Sequence, residues 1–273
     1  MSEQTNNIFT STELGNNGRL GNQLFQIAAC FGVSVNEKGF VLLPEWNYKN
    51  CFKNKYIIPT AEILSTPINV YREESFSYNP ITINSFAQNK INTNVNALFG
   101  YFQSEKYFKH IEALIRKLFE PSEEILKKLQ EKYPLFRNGA VKNACSIHVR
   151  RGDYVNNPYY AQLGMDYYNS AMWELRKMKQ GHYNLIFSDD IEWCKQNFEY
   201  NPNNIFIEGN SDIEDLFLMS WCRYNIGANS SFSWWGAWLN NQEGAIKIFP
   251  KKWFGEVANL DTKDLYLQSW ITI

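Results

Sequence analysis

From residue 145 to residue 249 the chain alternates short apolar runs with stretches whose apolar positions recur at helical spacing. Runs near 145–149, 184–187, 205–207, 224–227 and 246–249 read as strands, and stretches near 165–180, 190–198, 212–222 and 232–240 as helices. Regular βα alternation of this kind implies a parallel sheet buried on both faces. The first half is less regular. A strand at 8–10 leads through a Gly- and Asn-rich loop to a helix over about 22–37, where Leu24, Ile27, Ala28 and Phe31 mark one face. Strands follow at 40–43, ended by Pro44, and at 98–102. Helices come next at about 105–119 and 122–132, the second with Pro121 beside its start. The stretch 45–96 is irregular and rich in Asn, Thr and Pro, so it predicts no more than short strands. Residues 133–143 carry turn formers and no apolar period. They set the predicted boundary between an N-terminal domain, 1–138, and a C-terminal domain, 139–273.

Composition narrows the class. A chain of 273 residues fits one large domain or two of moderate size, and 44% hydrophobic with 20% charged residues describes an ordinary soluble globular protein. A net charge of −1 leaves no broad basic stripe for nucleic acid, so a phosphate must be met by a local cluster. Five cysteines are odd in number and lack a CxxC pair, which predicts free thiols in a reducing compartment; each also reads as a small buried hydrophobe. No apolar run approaches the roughly 18 residues of a membrane span, and the polar start MSEQTNN does not read as a signal peptide. The expected setting is cytoplasmic. Nine Trp among 16% aromatic residues fit either a surface that stacks sugar rings or an aromatic core.

Candidate chemistry concentrates in SIHVRRGDY, residues 146–154. With period two along the predicted strand, His148 and Arg150 share one face, and Val149 and Arg151 the other. Gly152 then turns the chain, so the strand's carboxyl end opens onto the kind of crevice where open α/β sheets bind ligands. A planar, permanently charged guanidinium there suits a phosphate; a structural Arg–Asp pair tying down a turn also accounts for the segment.

Three further segments join it. Gly18-Arg-Leu-Gly-Asn-Gln23 lies between a strand and a helix, where glycines allow a ligand close to the backbone or simply make a tight turn. Asn229-Ser-Ser-Phe-Ser-Trp-Trp-Gly236 follows an apolar strand and opens a helix, which makes either an anion site or ordinary N-caps. Asp212-Ile-Glu-Asp-Leu-Phe-Leu-Met219 presents carboxylates on an amphipathic helix, most simply a solvated face.

In this order and spacing GRLGNQ, HVRRGDY, FSDD at 187–190 and SSFSWWGAW at 230–238 resemble the α-1,2-fucosyltransferases of glycosyltransferase family 11. The similarity extends more distantly to the α-1,6- and protein O-fucosyltransferases and covers most of the chain, from about Gly18 to Trp270. It implies an α/β GT-B architecture of two Rossmann-like domains facing a cleft, the N-terminal one on the acceptor side. It further implies a GDP-fucose donor, inversion at the fucose anomeric carbon, and no metal or other cofactor.

By the same resemblance, His148 and Arg150 contact the donor nucleotide and its β-phosphate, and Asp215 reads guanine, sixteen residues before Ser231. Ser230, Ser231 and Phe232 fall on the diphosphate. Asn22 and Arg19 match the loop that approaches the sugar, although this sequence has Gly18-Arg19 where many members carry Gly-Gly. Arg151 is expected to be held by Asp153 and to brace the turn, and Asp189-Asp190 to cap the next helix rather than bind a metal. The α-1,6 relatives use a glutamate ten residues beyond the motif histidine as base; Pro158 stands there, and Asp153 is nominated instead. The expected protein is a cytosolic or peripherally membrane-associated enzyme that fucosylates a galactose-containing glycan through an α-1,2 linkage. A fucosyltransferase of another linkage, and a non-catalytic nucleotide-sugar- or glycan-binding protein, remain as alternatives.

Overall fold

The computed structural model describes residues 7–54, 67–89, 93–136, 141–258 and 260–273. It divides into two compact units: the chain to Glu123 together with Asp261–Tyr266, and Glu124–Leu260 with Leu267–Ile273. The boundary expected at 138/139 lies outside the described residues.

In the first unit β1 (Ile8–Thr10), α1 (Leu20–Asn36), β2 (Phe40–Val41), β3 (Asn69–Arg72) and β4 (Val95–Phe99) precede α2 (Glu112–Leu118). All strand pairs are parallel, in the order β2-β1-β4-β3. α1 is buried nearly all round, with Leu24, Phe25, Ile27 and Ala28 fully covered. Two expectations shift here. The strand expected at 98–102 runs instead from Val95 to Phe99, because Gly100 and Phe102 both take positive φ, 159° and 54°, and leave the sheet. The helix expected over 105–119 is α-helical only from Glu112. Before it, two 3-10 turns, Glu105–Tyr107 and Lys109–Ile111, lie so close to α1 that a Cβ on Gly32 would stand 1.9 Å from the Tyr107 carbonyl oxygen.

α3 (Glu123–Lys132) leads to the second unit. There β5 (Val141–Val149), α4 (Met165–Met178), β6 (Tyr183–Ser188), α5 (Ile191–Asn197) and β7 (Asn204–Phe206) run in sequence. α6 (Asp212–Trp221), β8 (Cys222–Ile226), α7 (Ser231–Leu239), β9 (Ile246–Phe249) and β10 (Ile271–Thr272) complete it. The sheet is parallel throughout, in the order β10-β9-β8-β5-β6-β7. From β5 the chain builds outward through β6 and β7, then α6 carries it back so that β8 pairs with the other side of β5. The carboxyl ends of β5 and β8 therefore flank a topological switch point, where open α/β sheets hold ligands.

Aromatic residues supply much of the core. Trp234, Trp235 and Trp238 of α7 are buried and pack on one another with centroids 5.2–6.2 Å apart. The five cysteines are free thiols and all but Cys51 are buried, with burial pushing the Cys194 thiol up to about 11. They act as small hydrophobes. Among the described residues no helix is long and apolar enough to cross a membrane.

Candidate functional site

β5 distributes its side chains to the two faces as its period requires. Cys145, Ile147 and Val149 join Tyr168, Met172 and Cys194 of α4 and α5 in one core. Ser146 and His148 point the other way. Asn225 Nδ2 donates to Ser146 Oγ and to the Met219 carbonyl of α6, both at 2.8 Å, and the His148 ring lies 5.4 Å from Phe232 of α7. His148 is buried beside Arg150. Desolvation, then that positive charge, hold its pKa down to about 3, so the ring is neutral and its Nδ1 has no hydrogen-bond partner among the described residues. A buried polar atom left this way fits a ligand group that completes it.

The two arginines separate as the alternation predicts. The Arg150 side chain is 12% exposed; Nη1 lies 2.6 Å from Asp189 Oδ2, Nη2 pairs with Asp153, and the guanidinium carbon is 5.1 Å from the Tyr154 ring centroid. Arg151 leaves on the α5 side, where Nε donates to Asp190 Oδ2 at 3.0 Å and the guanidinium stacks 4.0 Å from the Trp193 ring centroid. The expectation that Asp153 holds Arg151 is therefore corrected. Asp153 sits on the 3-10 turn Gly152–Tyr154, three residues from Arg150, whereas Asp190 lies on the face by which Arg151 departs.

Asp190 caps α5 as expected, accepting the Trp193 N–H at 3.2 Å, but Asp189 does not. Asp189 accepts the Arg151 N–H at 2.9 Å and binds the Arg150 side chain. Gly152 makes room for it, since a Cβ there would stand 2.5 Å from Asp189 Oδ2. The signal for this role was the acidic doublet immediately after a strand. It becomes readable only when the register Val149↔Ser188 sets the two loops side by side. An Arg–Asp cluster tying down the turn is thus present, and a phosphate at Arg150 would have to share or displace these carboxylates.

Across the switch point Ser230 is the N-cap of α7, its Oγ accepting the Phe232 N–H at 3.3 Å, with Ser231 opening the helix. Hydroxyls and first-turn N–H groups there suit an anion. Asp215, in the first turn of α6, accepts from Asn210 Nδ2 at 2.8 Å. Burial pushes its pKa up to about 6, the Asn210 bond opposing and the Glu214 charge adding. Its neighbour Glu214 is spent structurally, in a capping box with Ser211 and an ion pair with Lys128. Among the described residues no group of three or more His, Cys, Asp or Glu is placed to hold a metal ion.

Arg19 and Asn22 belong to the first unit. Arg19 is exposed at the N-cap position of α1, and Asn22 lies in the helix's first turn rather than in the loop. Gly18 turns the loop at φ 82°, and a Cβ there would stand 2.4 Å from Asn22 Nδ2. Amides brace the loop: Gln23 donates to the Gly18 carbonyl and Gln26 to that of Asn17, each at 2.8 Å. Gln103, which the sequence reading did not single out, donates to Asn22 Oδ1 at 2.9 Å.

Comparison with known proteins bears on the family and the fold. The sequence profile of glycosyl transferase family 11 matches residues 3–273. An α-1,2-colitosyltransferase of Escherichia coli is 33% identical over 285 residues, covering 94% of this chain and 96% of that protein. The O-antigen biosynthesis glycosyltransferase WbnK of Escherichia coli is 37% identical over 186 residues, 64% of this chain, and the match spans 60% of that relative's length. In fold, the chain is similar to NodZ α-1,6-fucosyltransferase soaked with GDP-fucose, with a TM-score of 0.55 and 12% identity over 86% of this chain and 92% of that one. It is also similar to POFUT1 in complex with GDP-fucose, with a TM-score of 0.59 and 14% identity over 91% and 98%. The fold is of the GT-B type, built on parallel sheets. With its profile matched from residue 3 to the last residue, this chain belongs to glycosyltransferase family 11.

Proposed function

We propose that the chain transfers L-fucose from GDP-fucose to a galactoside hydroxyl, forming an α-1,2 linkage with inversion and without a metal. The observation that carries this reading is the pairing, at one switch point, of the Arg150 guanidinium after β5 with the amino terminus of α7 after β8. Breaking the fucose–phosphate bond leaves negative charge on the diphosphate, and fixed donors aimed at that charge lower the barrier. Arg150 and the hydroxyls of Ser230 and Ser231 take that role, Phe232 holding the Ser230 cap in place, with His148 neutral beside them. Asp215, once ionised, accepts both N–H groups of the guanine edge. Arg19 and Asn22, both in the first unit, are the residues proposed for the fucosyl group. Asp153 is the proposed proton acceptor: a β-phosphate that takes over Arg150 releases the Asp153 carboxylate for the incoming hydroxyl.

A second donor has specific support. The Escherichia coli relative matched over nearly the whole chain is named a colitosyltransferase, and colitose is fucose without its 3-hydroxyl. The deciding experiment follows GDP release and product with GDP-fucose and a colitosyl donor across a galactoside panel, with and without EDTA. Fucosyl product linked α-1,2 and unaffected by EDTA is the expected result. Product at another hydroxyl assigns another linkage, and GDP-fucose binding with no turnover makes the protein a binder.

A further inference from the structure

A ring cluster beside Arg150 has no part in the reading above. Tyr154 and Tyr160 stack in parallel, centroids 3.7 Å apart at 3°, and Tyr154 lies against Arg150. Tyr159 meets Tyr160 and Phe254 edge-on, at 5.1 and 5.4 Å. The two loops that carry these rings are fastened together: Tyr160 bridges Phe254, and the Gly255 N–H donates to the Tyr159 carbonyl at 2.8 Å. A Cβ on Gly255 would stand 2.0 Å from the Pro158 carbonyl oxygen. Asn229, fully buried in the turn before α7, donates to the Ala161 and Trp253 carbonyls at 3.0 and 2.7 Å. So much fastening normally serves burial, yet Tyr159 remains 41% exposed. An exposed ring held this firmly, and joined through Tyr160 and Tyr154 to a charged anchor, is built like a recognition surface.

We propose that this wall is an acceptor subsite, with the Tyr159 ring receiving the apolar face of a galactosyl residue. The proposal rests on the reading of Arg150 as the diphosphate anchor. The axial 4-hydroxyl of galactose leaves C3–H, C4–H and C5–H together on one face, and an aromatic face attracts such a polarised C–H patch. The attacking hydroxyl must approach the anomeric carbon, which is bonded to the β-phosphate at Arg150. His148 and the α7 amino terminus lie together on the α6/α7 side of the sheet and are taken by the nucleotide, while the ring loops border the same Arg150 anchor through Tyr154 and are left to the acceptor.

Steady-state kinetics of the full chain with lactose as acceptor, beside GDP release without acceptor, test this. Tyr159→Ala is expected to raise the acceptor KM about tenfold while leaving donor KM and acceptor-free GDP release within about twofold, and Tyr159→Phe to behave as wild type, because the ring face rather than the hydroxyl makes the contact. Unchanged acceptor KM in Tyr159→Ala overturns the subsite, as does a rise confined to donor KM, which would give the wall to the nucleotide. If wild type shows neither GDP release nor transfer, the donor reading itself fails, a result distinct from either of these. Should Tyr159→Ala melt early, Tyr159→Leu, which keeps bulk without a ring, supplies the same comparison.

Discussion

Arg150 is held by Asp153, Asp189 and Tyr154, and these contacts decide what its replacement does. Its planar fork meets Asp153 and Asp189 while its face lies on Tyr154, a geometry that an ammonium cannot copy. Arg150→Lys is expected to lose most activity and Arg150→Ala nearly all, with circular dichroism unchanged. Near-wild-type turnover in Arg150→Ala would remove the phosphate anchor from the mechanism. Arg151→Ala, which loses an ion pair and a ring contact away from that anchor, should instead lower stability by about 1 kcal/mol, read as a melting shift of a few degrees. For Asp153, Asp153→Asn should depress kcat much more than donor affinity if it takes the proton; an equal loss in both would reduce it to a holder of Arg150.

Asp215 makes a pH-dependent prediction at the same scale. Its pKa of about 6 means that acid removes the acceptor guanine needs, so GDP affinity should fall about tenfold per unit below pH 6 and level off above pH 7. ADP should show no such slope. The sign for stability is opposite. A folded pKa raised from 3.8 contributes stability that is complete below about 3.8 and lost as pH rises through about 6. Asp215→Asn should therefore melt higher than wild type at pH 7.5 while binding GDP less well. A variant that neither gains stability nor loses affinity would separate Asp215 from the site.

At the scale of elements, the second unit is legible throughout and the first only as far as β2, for a physical reason. Strands β5 to β9 are short apolar runs between amphipathic helices, so each announces its own period, and each was read to within a few residues. β3 and the 3-10 turns before α2 are shaped by contacts distant in sequence, such as Glu73 accepting the Tyr101 and Phe102 N–H groups at 2.7 and 3.0 Å, which leave no local period. The site divides the same way. His148 and Arg150 could be placed from alternation along one strand, whereas Asp189 required the pairing of β5 with β6, and Gln103 the proximity of a loop 81 residues from Asn22. The β5–β6 pairing has its own test. Gly152→Ala drives a Cβ to 2.5 Å from Asp189 Oδ2 and so pushes the carboxylate from Arg150. Its kcat/KM should fall at least about tenfold, on the scale of losing a charge-assisted contact, with secondary structure intact. Full activity would show that Asp189 braces the turn and nothing more.

For the whole molecule, the division into units is not linear, and this sets how the chain can be cut. Asp261–Tyr266 return to the first unit after the second has been built, an excursion that no change in composition marks. The returning segment is well anchored. The Asp264 carboxylate, 9% exposed as a residue, accepts the Tyr78 N–H at 3.0 Å and pairs with Lys106, its carbonyl accepts from buried Ser104 Oγ at 2.7 Å, and Leu265 is buried at 1% exposure. A fragment of residues 1–123 would leave Ser104, Tyr78 and Lys106 without these partners and uncover the site of Leu265. It should therefore melt without cooperativity, although it holds every strand of its sheet. Within the full chain, Leu265→Ala should cost about 2–4 kcal/mol and Asp264→Ala about 1–3 kcal/mol. In both, hydrogen exchange should quicken first around residues 71–107 rather than along β5 or β8. A fragment that unfolds cooperatively at the temperature of the full chain, or faster exchange spread evenly over both sheets, would show that the first unit does not depend on this return.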